Sequence, residues 1–293
     1  MEDNSFSIII PAHGRPNGLS NCLRAICDLD YPRDLFEVIV VDDGSAVPLE
    51  STCEHFYNKL NLLFLSQHNA GPAAARNRGA EHAGGKYLAF TDDDCMPMSG
   101  WLKAMNNHLT ENPHCAVGGR MINLLEGNSY AAASQILIDY LHEYHNRSLK
   151  GARFLTTSSL GVSMEDFREI RGFDVSFPRA AAEDRDFCAR WLHSGRRIIL
   201  DPKIKVFHAH VHSFLSYLKQ HFGYGRGGFH FHRKCLQRGQ ESLRVEPLSF
   251  CRGLMLRSFS GAEVQSRPFM CALLFLSQVA NTLGFAWEKL SDK

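Results

Sequence analysis

The chain has 293 residues, 44% hydrophobic and 22% charged, which excludes a disordered or collagen-like polymer and leaves room for one large domain with or without an extension. A net charge of +1 gives no overall field toward nucleic acid, and no such partner is expected. Nine cysteines at irregular spacing, none in a CxxC pair, exclude a disulfide framework and the common zinc spacings and point to a reducing, cytoplasmic setting.

The N-terminus, "MEDNSFSIIIPAHG", has a short apolar run without a basic flank, so it does not read as a signal peptide. Residues 7–10 predict a short strand that "PAHGRP" interrupts, and a helical pattern follows over 19–27. "FEVIVV" at 36–41 is a continuous β-branched run of the kind buried on both faces of a sheet, and it stops at Asp42-Asp43-Gly44-Ser45. "LNLLFLSQ" predicts a third strand, "GPAAARNRGAEHA" a helix with Pro72 in its first turn, and "KYLAFT" a fourth strand. This βαβ alternation predicts an α/β protein with a mostly parallel, doubly wound sheet. Ligands of such sheets lie beyond the carboxyl ends of the strands. Two acidic clusters, Asp42-Asp43 and Asp92-Asp93-Asp94, are therefore expected in one crevice.

The later half is less regular. "CAVGGRMINL" predicts a strand, 130–145 a helix and "SSLGVSM" another strand. "AEDRDFCARWLHSG" has helical spacing with Gly195 as a stop signal, and "RRIIL" and "KIKVFHAH" predict two more strands. Beyond 214, helical stretches are interrupted by the glycine-rich "HFGYGRGG". It reads either as a mobile lid, with Arg226 as a diphosphate contact, or as a plain helix-breaking loop. Between Arg196 and Arg238 stand nine Lys/Arg against one acid, Asp201, forming an anion-facing or simply solvated surface. Residues 268–287 carry no formal charge and have the length of a membrane span. Ser277, Gln278, Asn281 and Thr282 dilute that segment, which predicts an amphipathic helix packed on the protein or lying at a membrane interface.

The acidic triplet raises the sharpest chemical question. Three unpaired carboxylates at the end of a buried strand repel one another, and desolvating each costs several kcal/mol. A lysine or arginine, a metal ion or water must answer them. Carboxylates so placed suit a hard cation such as Mg²⁺ or Mn²⁺. On extended backbone Asp92 and Asp94 share one side with Asp93 opposite; the alternative is an Asx-type turn capping the next helix. Glu183 and Asp184 open a predicted helix, where the dipole favours a carboxylate and where a plain capping role is the alternative. His208 and His210 alternate on one face of a strand, as core histidines or as ligands.

In chain order, "SIIIPAHGRP", "VIVVDDGS", "HNAGPAAARNRGA", "YLAFTDDDCMP", "GVSMEDFREIRGFD", "AEDRDFCARWLHSGRRI" and "VFHAH" resemble the inverting glycosyltransferases of family 2. The resemblance implies a GT-A fold, Rossmann-like, over 1–238, with a nucleotide-binding half to about 125, an acceptor half from about 126, and a C-terminal helical extension over 239–293. It implies a nucleotide-sugar donor, UDP-linked or else dTDP- or GDP-linked, and transfer of a single sugar, because the multiple spanning helices and Gln-x-x-Arg-Trp motif of processive synthases are missing. Pro11, Arg15, Asp42 and Asp43 map onto the nucleoside pocket, and Asn69, Arg76 and Asn77 onto the segment completing it near a helix N-terminus. Asp92 and Asp94 map onto the Asp-x-Asp metal motif, with Asp93 beside the donor. His208, or second His210, maps onto a third metal ligand that favours Mn²⁺ over Mg²⁺. Asp184 maps onto the general base, with Glu183 orienting it or the acceptor. The acceptor is a saccharide, a lipid-linked intermediate or a protein, reached at the inner membrane face if the C-terminal segment is peripheral there. Two rivals are a silent nucleotide-sugar-binding module and a sugar-phosphate nucleotidylyltransferase, which would require a "GxGTRL"-like loop that "PAHGRP" does not supply.

Overall fold

The computed structural model describes residues 4–125, 127–146, 151–177, 181–209, 213–239, 248–257 and 267–292. Its strands are β1 (Phe6–Ala12), β2 (Phe36–Asp43), β3 (Leu62–Gln67), β4 (Tyr87–Phe90), β5 (Cys95–Pro97), β6 (Cys115–Asn123), β7 (Leu160–Ser163) and β8 (Arg197–His208). The helices are α1 (Pro16–Cys27), α2 (Glu50–Glu54), α3 (Pro72–Glu81), α4 (Trp101–Glu111), α5 (Ser129–His145), α6 (Met164–Glu169), α7 (Glu183–His193), α8 (Phe214–Gln237), α9 (Leu248–Arg257) and α10 (Arg267–Ser291). They group into two compact units: Met1–Ile122, Asn146–Val175 and Asp184–Ala209 form the first, and Asn123–His145, Ser176–Glu183 and His210–Lys293 the second.

The first unit is built on an eight-stranded sheet of order β3-β2-β1-β4-β7-β6-β8-β5. β1 to β4 are mutually parallel, as their alternation with helices predicts, but β7 runs antiparallel to β4 and β6, and β5 antiparallel to β8. The sheet is therefore mixed. Side chains alternate across it: Phe6, Ile8 and Ile10 of β1 join one core with Leu19, Leu23 and Ile26 of α1 and Trp101 and Met105 of α4. Ile9 joins the opposite core with Leu88, Phe90 and Val162, and with Phe187 and Trp191 of α7. Burial on both faces is why β1, β2 and β4 read as unbroken apolar runs rather than alternating ones.

Two expectations fail here. "RRIIL" and "KIKVFHAH" are one strand, β8, that runs through Pro202. β5 pairs only with Val206–His208, so the missing N–H of Pro202 removes no ladder bond on that side. "HFGYGRGG" is neither lid nor loop, because α8 is continuous from Phe214 to Gln237 and opens with a Ser213–Ser216 capping box.

Its glycines have a packing reason, and it lies within the second unit. A Cβ on Gly225 would collide with the carbonyl of Asn281, and one on Gly284 with the carbonyl of Phe222. α8 and α10 thus touch backbone to backbone at these points, an approach open only to glycine. Arg226 and His230 of α8 both bind Glu288 of α10, the imidazole Nε2 at 2.8 Å. Arg226, expected on a diphosphate, is an interhelical ion-pair partner. The same unit has its own apolar core of Ala133, Leu137, Tyr140, Tyr217, Phe250, Leu254, Met270, Leu273 and Leu274.

Gly284→Leu should cost about 3 kcal/mol, at the upper end of overpacking penalties because the clash is with backbone. Gly223, whose added Cβ meets nothing within 4 Å, is the control: Gly223→Ala should be neutral or stabilise by up to about 1 kcal/mol through helix propensity. Denaturant unfolding followed by circular dichroism separates the two, and equal destabilisation would refute the close-packing account.

Candidate active site

The parallel register of β1, β2 and β4 places three loops at one edge of the sheet. Ala12 lies opposite Asp42, and Ile9 opposite Phe90. His13, just past β1, joins both acidic clusters: its backbone N–H donates to Asp93 Oδ2 at 3.1 Å, and its Nδ1 lies 3.0 Å from the Asp43 carbonyl. The two clusters do meet at one edge of the sheet.

The triplet itself is a turn, not an extended strand end. The Cys95 N–H donates to the Asp92 carbonyl at 3.0 Å, and this fold-back cancels the alternation expected of Asp92, Asp93 and Asp94. Asp93 and Asp94 are gripped together by Arg15, which binds Asp93 Oδ1 and, at 2.7 Å, Asp94 Oδ2. Arg76, 3% exposed, donates to Asp92 Oδ1 at 2.7 Å and lies over the Phe173 ring. Two guanidiniums therefore answer the three carboxylates. Burial disfavours the charge on Arg15, but Asp94 and Asp93 outweigh it and hold its pKa above the ordinary value. Burial also pushes the fully enclosed Asp93 up to about 6, against the opposing pull of Arg15 and the His13 N–H. Arg15 was expected in a nucleoside pocket; its role as partner of the acids had no signal beyond its place in the loop after β1.

The antiparallel pairing of β5 with β8 sets Cys95 opposite His208. His208 Nε2 consequently lies 3.4 Å from Asp94 Oδ1, and the Ala209 N–H donates to the Asp94 carbonyl at 3.1 Å. Asp94, Cys95 and His208 bring ligand atoms within 4.8 Å of one another. Burial and the neighbouring Asp92 and Asp94 raise the Cys95 pKa well above that of a free thiol, so Cys95 is a neutral weak donor to Asp94. A carboxylate oxygen and an imidazole nitrogen 3.4 Å apart fit one divalent cation, whose adjacent ligands at about 2.1 Å stand roughly 3 Å from each other. His210 lies outside the described residues.

Other expected site residues are engaged by backbone. Asp42 accepts from Ser45 N–H and Oγ and from Leu49 N–H, bracing the turn after β2 where Gly44 takes φ 74°. Asp43 accepts from Gln67 and from the N–H groups of Ala70 and Gly71 at 2.8 Å each. Those two amides precede α3, and Asp43 occupies them. Asn69 donates to the Asp43 carbonyl at 3.0 Å, while Asn77 exchanges two bonds with the backbone of Phe173. Pro11 is buried in β1 opposite Val41. Glu183 and Asp184 open α7 as expected, and Asp184 Oδ1 accepts from the Arg185 N–H at 2.7 Å. The preceding Ala182 holds φ 71°, a left-handed conformation that costs a non-glycine residue of order 1 kcal/mol or more and fixes how the chain enters the helix.

A carboxyl pKa raised from 3.8 to about 6 means that the folded state holds a proton the unfolded state has released between those values. This contribution therefore favours folding at low pH and is lost as pH rises through about 6. Relative to Asp93→Asn, the wild type should lose about 2 kcal/mol of stability between pH 4 and pH 7. Paired denaturant titrations check it, and a difference that stays flat with pH refutes the raised pKa.

The model of the glycosyl transferase family 2 matches residues 7–171. The chain is 28% identical over 224 residues to a pre-mycofactocin glycosyltransferase of Mycobacterium tuberculosis, covering 75% of this chain and 46% of that one. It is 31% identical over 204 residues to the amylovoran biosynthesis glycosyltransferase AmsB of Erwinia amylovora, covering 65% and 64%. It thus spans less than two thirds of the length of either relative. Among solved structures it is similar to the mannosyltransferase PcManGT of Pyrobaculum calidifontis in complex with GDP-Man and Mn²⁺, at TM-score 0.68, 18% identity and coverage of 96% and 88%. It is also similar to S. aureus TarS 1-349 in complex with UDP, at TM-score 0.58, 16% identity and coverage of 98% and 92%. With a GT-A sheet whose acidic strand-end turn lies inside the matched segment, the chain belongs to glycosyl transferase family 2.

Proposed function

We propose that this glycosyltransferase moves a single sugar from a nucleotide-sugar, UDP-linked by preference, to an acceptor hydroxyl with inversion at the anomeric carbon. The observation that carries the reading is the approach of His208 to Asp94 at the carboxyl edge of the parallel strands, 3.4 Å from nitrogen to oxygen. Asp94 and His208 would hold a divalent cation, with Asp92 beside them, and the imidazole favours Mn²⁺ over Mg²⁺. When bound, that cation neutralises charge growing on the departing diphosphate. Arg15 and Arg76, already at the carboxylates, add positive charge at the same edge. Asp184, in the first turn of α7, takes the proton of the acceptor hydroxyl as it attacks from the face opposite the diphosphate, and Glu183 orients it. The complexes with GDP-Man and Mn²⁺ and with UDP support a nucleotide-sugar donor and a metal.

The acceptor is reached at the cytoplasmic membrane face, and α10 supports that location. Among the described residues it is one helix long and apolar enough to cross a bilayer, judged by length and composition. Met270, Leu273, Leu274 and Ser277 on one side are buried, whereas Phe275, Val279, Leu283, Trp287 and Leu290, spaced by three or four, stay exposed on the other. Arg267 opens the helix and Lys289 lies in its last turn. A helix apolar on both sides needs a second apolar medium, and we assign it to lie along an anionic lipid surface.

Calorimetric titration with UDP and GDP should show nucleotide binding that Mn²⁺ supports and EDTA or Asp94→Ala abolishes. Binding indifferent to metal refutes the metal assignment. Asp184→Asn should keep donor binding and lose transfer by about 10³-fold or more; wild-type turnover removes Asp184 as base. Donor hydrolysis without acceptor separates an enzyme from a silent binding module. Replacing Phe275 and Trp287 together by Ser should release the protein from phosphatidylglycerol vesicles in flotation, whereas a wild type that ignores such vesicles refutes membrane contact.

A further inference from the structure

Asp94 has its two oxygens divided between neighbours. Oδ2 accepts from Arg15 Nη1 at 2.7 Å, while Oδ1 faces His208 Nε2 at 3.4 Å and Cys95 Sγ at 3.8 Å. Arg15 cannot easily leave, because its other terminal nitrogen binds Asp93 Oδ1. Asp93 is fixed in turn: its side chain is fully buried, and its second oxygen takes the His13 N–H. Gly18, in the first turn of α1, closes over the same residue, since a Cβ there would stand 2.9 Å from the Asp93 carbonyl oxygen. Asp92, Asp93 and Asp94 are met by Arg15 and Arg76, so the cluster is close to neutral and retains about one negative charge when all are ionised.

We infer that Arg15 is a positioning residue and a built-in counter-cation of the acidic turn. It orients Asp94 so that only Oδ1 is offered toward His208. It also cancels enough charge that a free divalent cation is held weakly until a nucleoside diphosphate adds its own negative charges. Binding of metal and of nucleotide is then mutually dependent, each strengthening the other by the same factor. The inference rests on the reading that Asp94 and His208 are metal ligands.

Mn²⁺ binding at pH 7.5, read by electron paramagnetic resonance of the free ion with and without UDP or GDP, tests it. Wild-type protein should bind Mn²⁺ alone at least roughly tenfold more weakly than with the preferred nucleotide, within the usual range of coupling. Arg15→Gln should tighten binding of Mn²⁺ alone by roughly tenfold and shrink the coupling, because a competing positive charge is gone. Asp93→Asn should do the reverse and loosen it. Opposite shifts from two neighbouring residues are the signature of charge balance; a merely structural role would weaken binding in both. Arg15→Gln that binds Mn²⁺ no better than wild type overturns the inference. Should that variant not fold, Asp93→Asn decides: affinity for Mn²⁺ equal to or above that of wild type overturns it. The underlying metal reading fails separately, by Asp94→Ala retaining full binding of Mn²⁺ with nucleotide.

Discussion

Everything at the carboxyl edge of this sheet depends on how three adjacent carboxylates are kept in a largely buried turn. Asp93 is completely enclosed and Asp94 nearly so, which is tolerable only with positive charge in direct contact. Arg15 arrives from the loop after β1 and Arg76 from the interior of α3. The charge pairs thereby tie the loops after β1 and β4 and the helix after β3 into one body, and the backbone bonds of Asp42 and Asp43 add the loop after β2.

The parallel half of the sheet was legible because burial on both faces leaves unbroken apolar runs, as at 36–41, and because helices with strong start signals, such as Pro72, separate them. The shared edge of the two acidic clusters followed from that topology alone. Side-chain partnerships were not legible. Asp42 and Asp43 read as ligand-facing acids, yet each caps a local turn or a helix entry, a use of aspartate indistinguishable from the first in a single sequence. The triplet misled in a different way, since period-two reasoning holds only while the backbone remains extended, and the Cys95-to-Asp92 bond folds it. His208 was read from one face of a predicted strand and from the family resemblance, but its distance from Asp94 is a matter of pairing register with β5, a strand too short to announce itself.

Glycine-rich segments were the other source of error. "YGRGG" carries the signature of a loop, but a helix that must touch another helix through backbone needs the same residues. Propensity argued against a helix there, and tertiary contact overrode it. Glu288 adds to this junction, with Arg226 and His230 gathered on one carboxylate from the facing helix. The second unit thus adds close approach and charge to an apolar core, where the first is organised on a sheet.

The pairing of Cys95 with His208 has a kinetic corollary. The three residues of β5 meet the end of β8 only after more than a hundred intervening residues have been made and folded. Contacts of such long sequence separation pay their loop-closure entropy late and slow the route to the native state. Both arginines precede the triplet in the chain and the histidine follows more than a hundred residues behind it. The partners that balance the charge of the acidic turn are thus made before it, and the imidazole that faces Asp94 long after.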